Sequence, residues 1–286
     1  MAAIPSAVGP AARSLATLRR AIDSIDDQVH DLLMQRADVV AEVANAKMRE
    51  GGAAAPVFRA GREAEILRRL VARNRGPLPA ELIARVWREI MMASSRQQGV
   101  LTVAVSDAGA DLAREHFGAA ALRPVKSAAA VLAAVAKGRT QLGVLPLSGW
   151  WHRRPPDVRI LAGLPFVRTA LPRQDPRRST PKVVVIGRQD FEPSSDDALY
   201  VAVAWAKGAR AKGARRPKLP SARVLATARR AGGPLSLIET TASYAELRAA
   251  LGYRATVEFL GGYARPIVLP PASKSGPAKA NSKASR

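Results

Sequence analysis

Cysteine is absent from the 286 residues, which excludes a disulfide framework and thiolate metal sites. The three histidines, His30, His116 and His152, are too scattered to form a helical ligand pair, so no metal is expected. No stretch approaches ~18 uncharged apolar residues, and a membrane-spanning helix is not expected. The start, MAAIPSAVGPAARSLATLRR, lacks the charged beginning and apolar core of a signal peptide. These absences point to a soluble, cytoplasmic protein.

What is present is cationic. The formal net charge is +22, unevenly spread: residues 1–99 carry 15 Lys/Arg against 11 Asp/Glu, leaving 30 against 12 for the remainder. The first segment is therefore near +4 and the second near +18. Such a surplus attracts anions in general without choosing among them. Its densest stretch, KGARAKGARRPKLP at 207–220, has six basic residues and no acidic one. It reads as a solvated loop and is the best candidate for an anion-binding patch.

The length accommodates two domains. Residues 14–50 read as one long helix, with Leu15, Leu18, Ile22, Ile25, Val29, Leu32, Leu33, Val39, Val40 and Val43 spaced by threes and fours and Gly51-Gly52 as the stop. At 1.5 Å per residue it spans roughly 55 Å, longer than a hundred-residue domain is wide. Much of its apolar stripe therefore requires a second subunit. Shorter amphipathic helices are expected at 61–75 and 79–98.

The pattern changes at Gly99. Strands at 101–106, 141–147, 158–162, 165–169 and 182–186 alternate with helices at 110–117 and 127–137, and a further helix is expected at 196–206. Strand-like 236–240 and 256–260 flank a helix at 244–251, and the Lys-, Ser- and Pro-rich tail from 270 lacks the apolar content to fold. The expected fold is multidomain. A flexible 1–13 precedes an all-α three-helix domain at 14–99 that forms an intertwined dimer. An α/β domain with a mainly parallel sheet follows at 100–210, with room for a small α+β remnant at 220–269.

Polar residues set into the helical faces carry the functional signal. Arg36 and Lys47 are eleven residues apart, almost three turns, and project from one side about 16 Å apart along the axis. Arg19 lies a further seventeen residues back, roughly 25 Å away, too far to share a small ligand within one subunit. Ser94 and Gln98, four apart, share a helix face, and Arg62 and Glu63 open the middle helix. Taken singly, each cation reads more readily as a solvated charge than as a ligand group.

Together, LATLRRAIDSIDDQVHDLLMQRADVVAEVANAK, PVFRAGREAEILRRL and RVWREIMMASSRQQ resemble the all-helical, AroQ-class chorismate mutase family over residues 14–99. The resemblance implies an isomerase of the shikimate pathway converting chorismate to prephenate, without metal or cofactor. It implies substrate contacts from Arg19, Arg36, Lys47, Arg62, Glu63, Ser94 and Gln98. Arg19 of the partner subunit and Arg36 would clamp the two carboxylates, while Lys47 and Gln98 donate to the ether oxygen. Glu63 would fix the ring hydroxyl, Ser94 help hold a carboxylate, and Arg62 line the site and orient Glu63. Arg36, Lys47, Glu63 and Gln98 are thus the expected catalytic set. Arg59 stands where the family often has an acidic residue, leaving hydroxyl recognition to Glu63.

The second half resembles a prephenate dehydratase domain followed by an ACT domain, with its signatures broken. Pro146, Leu147, Ser148, Gly149 and Trp150 replace the expected Pro-Ile-Glu-Asn-Ser, and Thr180, Pro181 and Lys182 replace Thr-Arg-Phe. A degenerate, inactive dehydratase-like region is expected. Two alternatives stay open: a working bifunctional mutase and dehydratase, and a non-catalytic dimeric protein that regulates or binds nucleic acid. With the cationic pocket intact, nucleic acid is not the expected partner.

Overall fold

The computed structural model describes residues 13–49, 58–118, 121–169, 180–205, 221–230, 233–252 and 255–269. Residues 1–12, the basic segment 207–220 and the tail from 270 lie outside the described residues. The boundary between the two compact units falls after Ala55.

The first unit contains α1 (Leu15–Arg49), 35 residues and thus about 52 Å long. Ser14 starts it, its hydroxyl accepting the Thr17 N–H at 3.2 Å and so satisfying one of the first-turn donors. Its apolar stripe is exposed, from Leu15 at 64% through Ile22 and Ile25 at 57% to Leu32 at 62%.

The second unit opens with α2 (Ala60–Arg73) and α3 (Ala80–Gln98). The α/β elements follow in order: β1 (Val103–Val105), α4 (Ala110–Phe117), β2 (Leu122–Pro124), α5 (Ala128–Ala136), β3 (Leu142–Leu145), β4 (Arg159–Leu164), β5 (Val167–Thr169) and β6 (Val183–Gly187). The chain continues through β7 (Asp197–Trp205), β8 (Ala222–Arg230), β9 (Gly233–Thr240), α6 (Tyr244–Leu251), β10 (Ala255–Ala264) and β11 (Ile267–Leu269).

Among the described residues nine strands form one sheet in the order β2-β1-β3-β6-β4-β10-β7-β9-β8. The expected parallel pairing holds at the β2-β1-β3 end, where α4 and α5 supply the crossovers. Elsewhere the sheet is mixed: β4 and β10 run parallel, but β6 is antiparallel to both its neighbours, and β7, β8, β9 and β10 pair antiparallel. No described helix lies between β4 and β9 to carry the chain back to the same end. At the β10 bulge, Gly261 has φ +119°, and a Cβ there would sit 2.0 Å from the Ile160 carbonyl oxygen, so only glycine lets β10 approach β4.

The helix expected at 196–206 is strand β7. Alanines at 198, 202 and 204 favour a helix locally, but β10 and β9 pair with both edges of this segment, and Tyr200, Val201, Ala202 and Val203 are wholly buried. Tertiary pairing overrides propensity. Strands β8, β9 and β10 over 222–264 continue the same sheet.

Gly99 separates elements rather than cores. Phe58 and Met92 pack with Val103, Phe117 and Val144 on one sheet face. Ala64, Leu67 and Met91 join Phe166, Ile267 and Leu269. The opposite face is covered by α5, Trp150 and Trp151, and α6 closes the β7–β10 end. Among the described residues no helix is long and apolar enough to cross a membrane.

Candidate active site

Arg19, Arg36 and Lys47 all lie on α1. Arg19 is exposed, and Arg36 is half-buried, with burial pulling its guanidinium below its ordinary value. The side chain of Lys47 lies outside the described residues.

The remaining four expected residues belong to the second unit. Arg62 is exposed and pairs with Glu65 one turn on, at 3.6 Å. Ser94 is buried and donates to the Ile90 carbonyl at 2.8 Å, while the Gln98 amide donates to the Ser94 carbonyl at 3.4 Å. The spacing of four thus places Ser94 and Gln98 together, each engaged with backbone one turn earlier.

Glu63 is in different surroundings. It is buried at the start of α2, its carboxylate 3.8 Å from Nε2 of His116 on α4. Desolvation pushes its carboxyl up to about 8, against the pull of Arg88 and with a push from Glu192. Desolvation, and then Arg88, hold His116 down at about 3. At neutral pH the pair is therefore a protonated acid facing a neutral imidazole. Arg88 is itself buried on α3 and reaches Glu115 at 3.2 Å.

Arg59, the residue of inverted sign, forms an ion pair with Glu192. Sequence reasoning missed Arg88, His116 and Glu192. A signal existed for two of them: Arg88 falls four residues after buried Ala84, and His116 sits between Ala113 and Phe117 on the buried side of α4.

In the second half, Trp150 and Thr180, two of the residues replacing the expected motifs, are already bonded. Trp150 is buried and donates through Nε1 to the Pro146 carbonyl at 2.7 Å. Arg223 donates to the Thr180 hydroxyl at 2.6 Å and to Glu239 at 2.5 Å, and Glu239 also accepts the Tyr263 hydroxyl at 2.9 Å. A cleft of about 490 Å³ opens beside Arg223, Glu239, Tyr263 and Arg265. Burial, then the Glu239 carboxylate, raises the Tyr263 phenol well above its ordinary value, so it stays a donor.

The chain thus joins a helical segment carrying cations and neutral hydrogen-bonding groups to a mixed-sheet α/β unit. Residues 18–99 match the family described as Chorismate mutase type II. A bifunctional chorismate mutase/prephenate dehydratase of Pseudomonas aeruginosa is 36% identical over 140 residues, covering 46% of this chain and 38% of that protein. One from Neisseria gonorrhoeae is 36% identical over 107 residues, covering 36% of this chain and 28% of that protein. The chain spans less than two fifths of the length of either relative. Among solved structures, a prephenate dehydratase from Streptococcus mutans aligns with TM-score 0.38 and 16% identity over 59% of this chain and 99% of that one. A quorum quenching acylase, GqqA, aligns with TM-score 0.39 and 14% identity over 57% of this chain and 94% of that one.

Proposed function

We propose that the chain is a chorismate mutase, acting in the cytoplasm as a homodimer in aromatic amino acid biosynthesis. The observation that carries this reading is the family match over residues 18–99, which spans all seven polar residues of the expected site.

The rearrangement of chorismate to prephenate is pericyclic, so it needs no nucleophile, proton shuttle or cofactor. Catalysis comes from holding the reactive conformer and stabilising the charge that separates as the ether bond breaks. Arg36 and Arg19 of the partner subunit bind the two carboxylates, guanidinium forks matching carboxylates in a bidentate manner. Lys47 and Gln98 donate to the ether oxygen as it becomes negative. Glu63 binds the ring hydroxyl, with Arg62 beside it and Ser94 at a carboxylate.

The exposed stripe of α1 supports the dimer. Leu15, Ile22, Ile25, Val29, Leu32 and Val39 are each at least half exposed in the single chain, an apolar surface of the kind that marks an interface. Prephenate dehydration is not part of this reading, because a buried tryptophan follows β3 where the polar motif is expected. The test is loss of chorismate ultraviolet absorbance with purified protein: turnover is expected, and a folded dimer without turnover would end the reading.

A further inference from the structure

On the mutase reading Glu63 meets a substrate hydroxyl, yet the second unit holds its carboxyl elsewhere. The cavity it shares with His116, Phe58 and Leu164 has a volume of about 20 Å³, whereas small-molecule sites run to several hundred.

Beside its packing on α3, the first turn of α2 is fixed there by polar contacts from the α/β region. Glu192 pairs with Arg59 and accepts the Arg62 backbone N–H at 3.3 Å. Gln189 donates to the Phe58 carbonyl at 2.7 Å. Arg68, one turn further along, donates to the Ser194 hydroxyl at 2.8 Å and to the carbonyls of Asp196 and Arg265 at 2.7 and 2.9 Å. Gly61 makes the tightest approach: a Cβ there would lie 2.5 Å from the Pro193 carbonyl oxygen and 2.6 Å from that of Glu192. The helix is docked through its backbone at a position that tolerates no side chain.

We propose that this dock is an autoinhibitory latch, in which residues 189–196 and His116 hold the first turn of α2 so that Glu63 is withheld from substrate until the turn is released. The proposal rests on the mutase reading and assigns the α/β half the regulation of that site. His116 acts as a positioning residue and touches no substrate. The charged contacts suit a reversible catch, since Arg59 and Glu192 are partly exposed and such pairs are individually weak.

The test uses two variants of the full chain. Gly61→Ala places a methyl group against the Pro193 carbonyl while improving the helix propensity of α2. Glu192→Ala removes two contacts without altering α2. Hydrogen exchange of residues 58–68 reports release, and chorismate consumption reports activity. Both variants should exchange faster in the first turn of α2 and gain at least about fivefold in kcat/KM, the lower end of ordinary allosteric coupling. Turnover in the wild type with no gain in either variant, or with a loss, overturns the latch alone. No turnover in any of the three proteins overturns the mutase reading and the latch with it.

Discussion

The Glu63 carboxyl faces the His116 imidazole at 3.8 Å between α2 and α4, with neither side chain open to solvent. A carboxyl kept protonated by desolvation costs stability at neutral pH, because the unfolded chain ionises it freely. Glu63→Gln keeps the shape and the donor while removing that cost. With the folded value near 8 and the ordinary one at 4.5, the variant should gain up to about 3 kcal/mol at pH 7. On the mutase reading it should also lose turnover. Urea unfolding and a chorismate assay on the same preparation check both; equal or lower stability would show that the carboxyl is ionised in the folded state.

The pair also predicts a pH profile of stability. The unfolded chain holds protons on both groups below pH 4.5, on His116 alone up to 6.5, and on neither above that; the folded pair holds one proton from about 3 to about 8. Between 3 and 4.5 the unfolded state binds the extra proton, so stability rises with pH; between 4.5 and 6.5 the counts match and the contribution is flat. From 6.5 to 8 the folded state binds the extra proton, and stability falls as pH rises. Each limb is worth about 2 kcal/mol. Replacing His116 with Asn should extend the falling limb down to about 4.5. Unfolding free energies measured across pH 3–8 in wild type and variant decide it, and identical profiles would contradict it.

Arg154 anchors the entry to β4. Its wholly buried guanidinium donates to the carbonyls of Pro155, Pro156, Val158 and Phe259 and to the Glu258 carboxylate at 2.8 Å. Arg154→Ala removes these five hydrogen bonds from a buried site and should cost about 3 kcal/mol. Arg154→Lys should cost nearly as much, because an ammonium cannot span the fork. A lysine variant with an unchanged urea midpoint would refute this role.

Lys47→Ala should lower kcat about tenfold to a thousandfold by removing a donor to the developing oxyanion. The elution volume of the dimer should not change. Unaltered kinetics would place the pocket elsewhere.

Much of the helical architecture was legible because 3.6-residue periodicity and stop signals are local: α1 is expected at 14–50 and found at Leu15–Arg49, and α6 matches at Tyr244–Leu251. Strand β7 was not legible, since its alanines favour a helix until β9 and β10 pair with it. Strand β8 is not legible either, being an edge strand that bears Arg223, Arg229 and Arg230 with little apolar alternation to read. Within the candidate site, the spacing of Ser94 and Gln98 and of Arg36 and Lys47 follows from helix geometry alone. The neighbours of Glu63 do not: His116 is 53 positions away and Glu192 further still, brought close only by tertiary packing.

Subunit complementation is the most direct test of a site shared between two protomers. Arg19→Ala and Arg36→Ala should each be nearly inactive alone. Mixed and allowed to exchange subunits, they should recover about a quarter of wild-type turnover, because half the dimers are then hybrids with one intact site out of two. Recovery near that level is the expected result; exchanged hybrids as inactive as either parent would contradict a pocket built by Arg36 and Arg19 of the partner subunit.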